Sequence, residues 1–205
     1  MTPDYWRRAV AHLSASDPVI GRLIADYPAE CLESRDDPFG TLARSIVGQQ
    51  ISVQSASAVW RRIEDLLGAI ESRTVAAADD GALLGCGLSR SKAGYLADLA
   101  GRFLDGSVDP RRWARLDDDA VIAELTRIKG IGRWTAEMFL MFSFMRPDVL
   151  PLGDIGLQRA MGLHYRGEGK LGAAEMERIA ARWRPWRSVA TWYLWRSLDP
   201  LPVEY

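Results

Sequence analysis

Three observations predict that this 205-residue chain is all-α. Apolar residues recur with a period near 3.6 in nearly every segment, helix start and stop signals alternate at helix-length intervals, and no stretch shows the strict alternation of a half-buried strand. Taken in order, Asp17-Pro18 is an N-cap followed by proline at the first helical position. Ser52 opens a helix through Trp60, Ile63 and Leu67 that Gly68 closes. Ser89 opens another, running to about Leu104, and Asp117 caps a third in which Val121, Leu125 and Ile128 form one apolar stripe. Lys129-Gly130-Ile131-Gly132 follows, too short to be a loop of its own. Trp134, Met138, Met141 and Met145 then repeat at helical spacing, so the next helix is expected from about Gly132 to just before Pro147. The unit at about 117–145 is helix, hairpin, helix. A rigid link over 147–153 precedes helices expected at 154–163, 172–183 and 186–198. No internal repeat, low-complexity tract or long polar linker divides the chain, which predicts a single domain over 1–205.

Composition removes several function classes. No apolar run reaches the length of about 18 residues that a membrane span needs, and the start MTPDYWRRAVAHL lacks the apolar stretch of a signal peptide. A cytoplasmic protein is expected, nucleoid-associated if bacterial. The two cysteines, Cys31 and Cys86, have no second cysteine at ligand spacing, which argues against a disulfide framework, a zinc site or a four-cysteine iron–sulfur cluster. His12 and His164 likewise stand apart from any acidic or cysteine partner. A net charge of −1 gives no support to nucleic-acid binding, so any such role requires basic residues gathered on one face.

The hairpin carries the first chemical signal. In LTRIKGIGRWTAEMF two glycines bracket one apolar residue, so the backbone can turn tightly, bury Ile131, and leave amides unpaired at a helix N-terminus. Such amides at the positive end of a helix dipole suit a phosphate, and Lys129 and Arg133 add charge on either side.

Four blocks then resemble one family in the right order: LARSIVGQQISVQSA, GIGRWTAEMF, PLGDIGLQRA and RWRPWRSVATWYLW. From Thr41 to Leu198 the chain is similar to the helix-hairpin-helix base-excision DNA glycosylases, and most of all to their alkylation-repair branch, that of DNA-3-methyladenine glycosylase II. The resemblance implies a two-lobed helix-hairpin-helix glycosylase fold with the active-site cleft between the lobes; because GQQIS begins at Gly48, the separate N-terminal domain that some relatives carry is not expected. It implies Asp154 as the catalytic carboxylate. Breaking the bond between deoxyribose and base builds positive charge on the sugar, which a carboxylate stabilises while orienting or deprotonating water. Asp154 is also a candidate N-cap of the helix that follows it.

Strand-cleaving branches of the superfamily carry a lysine directly after the Gly-Arg of the hairpin, whose amine forms a Schiff base with the sugar. This chain has Trp134 there, which reads as a monofunctional enzyme that leaves an abasic site. Trp134 and Trp195 match the family's base-pocket positions, where indole faces stack on a cationic alkylated base. Met138 and Ile155 stand where the relative has tyrosines, and this more open pocket predicts release of 3-methyladenine and 7-methylguanine together with larger or Watson–Crick-edge-methylated adducts. Trp6, Trp60, Trp113, Trp183, Trp186 and Trp192 are assigned to the core. Gln50, helped by Gln49, matches the wedge that fills the gap left by a flipped nucleotide, although a glutamine pair that bridges helices is an equally concrete structural role.

Contacts to DNA are expected from Gln49, Gln50, Lys129, Gly130, Gly132, Arg133 and Thr135. Family hairpins hold a monovalent cation through backbone carbonyls, and the matching positions are Thr126, Ile128 and Gly130, for Na+ or K+. No cofactor is expected for catalysis. The expected partner is double-stranded DNA containing alkylated bases, bound by a monomer. Two alternatives remain at this point: a monofunctional glycosylase for mismatched or deaminated bases, and a non-catalytic DNA-binding helix-hairpin-helix module.

Overall fold

The computed structural model describes residues 3–28, 31–32, 37–167 and 169–198, with Asp80 described by its backbone alone. The described residues form thirteen α-helices: α1 (Trp6–Ser16), α2 (Pro18–Asp26), α3 (Pro38–Gly48), α4 (Val53–Leu67), α5 (Ser72–Ala77), α6 (Asp80–Gly85), α7 (Arg90–Leu104), α8 (Pro110–Trp113), α9 (Asp118–Leu125), α10 (Arg133–Phe142), α11 (Ile155–Arg166), α12 (Ala173–Ala180) and α13 (Arg187–Arg196). A 3-10 turn over Ala181–Trp183 joins α12 to the segment before α13. No strand occurs among the described residues, and no described helix is long and apolar enough to cross a membrane.

Short polar side chains start these helices by accepting amides that the first turn leaves unpaired. Asp17, Asp37, Ser52, Ser89, Asp117 and Asp154 each cap the helix that follows them. Gly68 closes α4 at φ +75°, and Gly167 closes α11 in the left-handed conformation. The helix expected from Gly132 to just before Pro147 is shorter, because α10 stops at Phe142. Met145 there adopts φ +50°, and the Arg146 amide folds back onto the Leu140 carbonyl at 2.9 Å. A left-handed residue ends helical propagation, so Met145 drops out of the stripe that its spacing suggested. The short helices α5, α6 and α8 hold too few residues to show a clear period.

The backbone divides into two compact units, Arg35–Phe139 and the combination of Met1–Ser34 with Leu140–Tyr205. In the first, α7 packs on α3 and α5, and α3 on α4. Its core includes Leu42, Ile46, Ile63, Leu96 and Leu99, with Trp113 fully buried, edge-on to Phe139 at 5.6 Å, and donating its indole N–H to Glu124 at 2.7 Å.

In the second unit α1, α2, α11, α12 and α13 surround Leu13, Ile20, Leu157, Trp183 and Tyr193. Asp17 is completely buried at its centre. One carboxylate oxygen accepts the Val19 and Ile20 amides, and the other accepts the Tyr165 hydroxyl at 2.8 Å and the Trp183 indole N–H at 2.9 Å. A residue legible as a helix cap is therefore also a knot tying three elements together. Burial, and then the neighbouring Asp17 charge, push the Tyr165 hydroxyl far above its usual range. Of the tryptophans assigned to the core, Trp6, Trp60, Trp113 and Trp183 are buried, and Trp186 and Trp192 are partly so.

Candidate active site

Asp154 reaches its position through two devices, a local turn and a long-range clasp. The chain turns at Leu152-Gly153, where the Asp154 amide donates to the Pro151 carbonyl at 2.9 Å and the Gln158 side-chain amide holds the Leu152 carbonyl at 2.8 Å. The link before that turn is fastened to the start of α13. Arg187 grips Asp148 with Nε on Oδ1 at 2.7 Å and Nη2 on Oδ2 at 3.0 Å, a bidentate pair whose fork geometry fixes direction as well as distance. Ser188 Oγ accepts the Val149 amide and donates to the Arg146 carbonyl. Asp148, Arg187 and Ser188 escaped sequence reasoning because their pairing joins positions 39 residues apart, and nothing local marks it.

The carboxylate itself is 5% exposed. Its Oδ1 accepts the Leu157 amide at 2.6 Å, which is the N-cap of α11, and also the Trp195 indole N–H at 2.7 Å. Asp154 is thus at once the N-cap of α11 and a buried carboxylate bonded to Trp195. Gly156 makes room for this pairing: a Cβ there would lie 3.1 Å from Asp154 Oδ1 and 3.1 Å from Trp195 Cδ1.

Trp195 is 3% exposed and stacks on Phe142 with ring centroids 6.1 Å apart. Its polar edge is committed to Asp154, which makes it a support for the carboxylate, a role the expected stacking on a base did not include. Ile155, immediately after Asp154, is 80% exposed. Trp134 on α10 is 39% exposed and Met138 is 5% exposed. Asp154, Ile155 and Trp195 belong to one compact unit and Trp134 and Met138 to the other.

The hairpin between α9 and α10 buries Ile131 as its anchor. Gly130 has φ +82°, and a Cβ on it would fall inside the Tyr95 ring of α7, so both backbone conformation and packing require glycine. Gly132 differs, because a Cβ there meets nothing within 4 Å. The amides of Gly132 and Arg133 have no protein acceptor among the described residues, as expected of a helix start that faces outward.

The basic side chains of the hairpin are partly compensated. Arg133 donates to Glu137 at 2.9 Å and lies 3.8 Å from Asp119, while the Lys129 ammonium is 3.9 Å from Asp98. Asp98 also accepts the Lys129 backbone amide at 3.0 Å and pairs with Arg102 at 2.8 Å. Burial alone would raise its pKa, but the Lys129 amide and the Arg102 guanidinium outweigh that and hold the carboxyl below its ordinary value. Thr135, expected among the DNA contacts, is 6% exposed and lies on the inward face of α10 with Met138 and Phe139.

The two glutamines part company. Gln49 is the C-cap of α3, and its side-chain amide donates to the Gly130 carbonyl at 2.8 Å, the helix-bridging role. Gln50 is exposed and left-handed at φ +58°. Of the three carbonyls expected to face a cation, that of Ile128 accepts the Ile131 amide at 3.1 Å and that of Gly130 accepts Gln49. Each of these oxygens keeps a second lone pair. No group of three or more His, Cys, Asp or Glu side chains is placed to share a metal among the described residues.

A family model described as "HhH-GPD superfamily base excision DNA repair protein" matches residues 43–186. DNA-3-methyladenine glycosylase 1 of Schizosaccharomyces pombe is 30% identical over 200 residues, covering 93% of this chain and 86% of that protein. Among solved structures, a DNA-3-methyladenine glycosidase from Bacillus halodurans superimposes with a TM-score of 0.84 at 36% identity, covering 92% of this chain and 88% of the other. The S. pombe 3-methyladenine DNA glycosylase Mag1, in complex with abasic DNA, gives 0.80 at 26% identity, covering 97% of this chain and all of its own.

Proposed function

The chain belongs to the HhH-GPD superfamily of base excision DNA repair proteins, and from that premise we propose that Asp154 is its catalytic carboxylate and that it excises alkylated bases from duplex DNA by hydrolysis alone, acting as a monomer. The observation that carries the reading is the fixing of Asp154 by two donors, one from the start of its own helix and one from Trp195. A carboxylate held this way needs no reorganisation when positive charge develops on the deoxyribose, and it can orient the attacking water. The hairpin amides and the partly compensated Lys129 and Arg133 would take the backbone phosphate, and Trp134 would offer its exposed indole to a flipped, cationic base. An indole supplies no amine, so no Schiff base to the sugar forms at that position and the product is an intact strand with an abasic site. The carbonyls of Thr126, Ile128 and Gly130 would hold a monovalent cation whose charge supports the phosphate contact, and no step of the bond cleavage depends on it.

The test uses a duplex carrying one 7-methylguanine. Asp154→Asn should lower single-turnover base release by at least about a hundredfold, because the lost charge acts only in the transition state, while affinity for abasic-site DNA stays within a few-fold. Borohydride should trap no covalent adduct with the wild type, and strands should break only after alkali. Near-wild-type release by Asp154→Asn would sink the assignment, and a trapped adduct would reveal an amine nucleophile.

A further inference from the structure

Helix α3 ends at Gly48, and its last carbonyls have no partner within the helix. The Lys92 ammonium, on α7, donates to two oxygens at that end, Val47 O at 2.7 Å and Gln49 O at 2.7 Å. A cation at a helix C-terminus also complements the dipole. Directly after these carbonyls the chain reverses through Gln50, exposed and left-handed, a conformation that an L-residue holds only with tertiary support.

The same face of α7 reaches the hairpin. Tyr95, three residues on, packs its ring against Gly130, and Asp98 accepts the Lys129 amide. Gln49 closes the circuit through its bond to the Gly130 carbonyl. One helix face thus sets both the turn that displays Gln50 and the loop that offers amides to a phosphate.

We infer that Lys92 is a positioning residue for nucleotide flipping: it fixes the turn carrying Gln50 so that this side chain enters the gap left by the extruded base. This rests on the base-flipping glycosylase reading above. The Lys92 ammonium holds the carbonyls of Val47 and Gln49, so its loss should weaken capture of the flipped state and leave the bond cleavage itself intact. Burial also lowers the pKa of its ammonium.

Single-turnover release of 7-methylguanine by the full-length protein separates these effects, using the lesion opposite cytosine and opposite a tetrahydrofuran abasic analogue, where the cost of extrusion is lower. Lys92→Met should slow release about tenfold opposite cytosine and stay within about twofold of wild type opposite tetrahydrofuran, the pattern also expected of Gln50→Ala. Lys92→Arg should recover most of the loss. If Lys92→Met fails to fold, Lys92→Gln replaces it with the same expected contrast. Equal slowing on both duplexes, or no slowing on either, would overturn the inference. A wild type that releases no alkylated base from either duplex would overturn the glycosylase reading itself, which is a different failure.

Discussion

Replacing Gly156 by alanine should damage activity without damaging the fold. The added methyl would stand 3.1 Å from Asp154 Oδ1, 3.1 Å from Trp195 Cδ1 and 3.2 Å from Trp195 Nε1, where ordinary contacts begin at 3.4 Å. Neither neighbour gives way freely: the carboxylate oxygen is held by bonds of 2.6 and 2.7 Å, and Trp195 is buried against Phe142. The carboxylate must therefore move by about 0.3–0.5 Å, and with about a hundredfold lost per ångström of misplacement this predicts about a four- to tenfold slower release. Stability should change little, because alanine in a helix is favoured over glycine by up to about 1 kcal/mol, which offsets the crowding. The assay pairs single-turnover release at saturating enzyme with the thermal midpoint, and Gly153→Ala is the control. Gly153 precedes Asp154 in the same turn, yet a methyl there meets nothing within 4 Å. A Gly156→Ala rate within twofold of wild type, or an equal loss in Gly153→Ala, would refute the claim that the packing around Gly156 places the carboxylate.

Two further predictions concern the framework. Asp17→Ala removes a helix cap and leaves the buried Tyr165 hydroxyl and Trp183 N–H without their acceptor, so the loss should be about 3–6 kcal/mol, read as a lower urea midpoint at unchanged m-value; a loss under about 1 kcal/mol would mean that water replaces the carboxylate. Gly130→Ala puts a methyl into the Tyr95 ring at a positive φ and should cost well over about 1 kcal/mol in stability, whereas Gly132→Ala should be nearly neutral in stability. Any loss of affinity for abasic-site DNA in the Gly132 variant then reports contact with the ligand, and unchanged affinity for Gly132→Val would make this loop a structural turn only.

Much of the helical frame was legible without coordinates because its signals are local. Asp17-Pro18, Ser52 with Gly68, Ser89, Asp117 and Asp154 bound helices through bonds to residues within one turn, and the Gly130-Ile131-Gly132 hairpin announces its own geometry. Asp154 was legible as a candidate because the family blocks bracket it in order. What the sequence by itself determined was therefore which segments are helical, where they start, and which residue types could do the chemistry. Only the tertiary structure decided how those residues are used, since partners far apart along the chain leave no periodic or spacing signal. It spends the Trp195 N–H on Asp154, ties Gln49 to Gly130, turns Thr135 inward, ends α10 at Phe142, and recruits Lys92, Tyr95, Arg187 and Ser188, whose partners no motif names. The physical reason is that a hydrogen bond's direction and a side chain's burial are properties of packed neighbours, and those neighbours become adjacent only when the chain has folded.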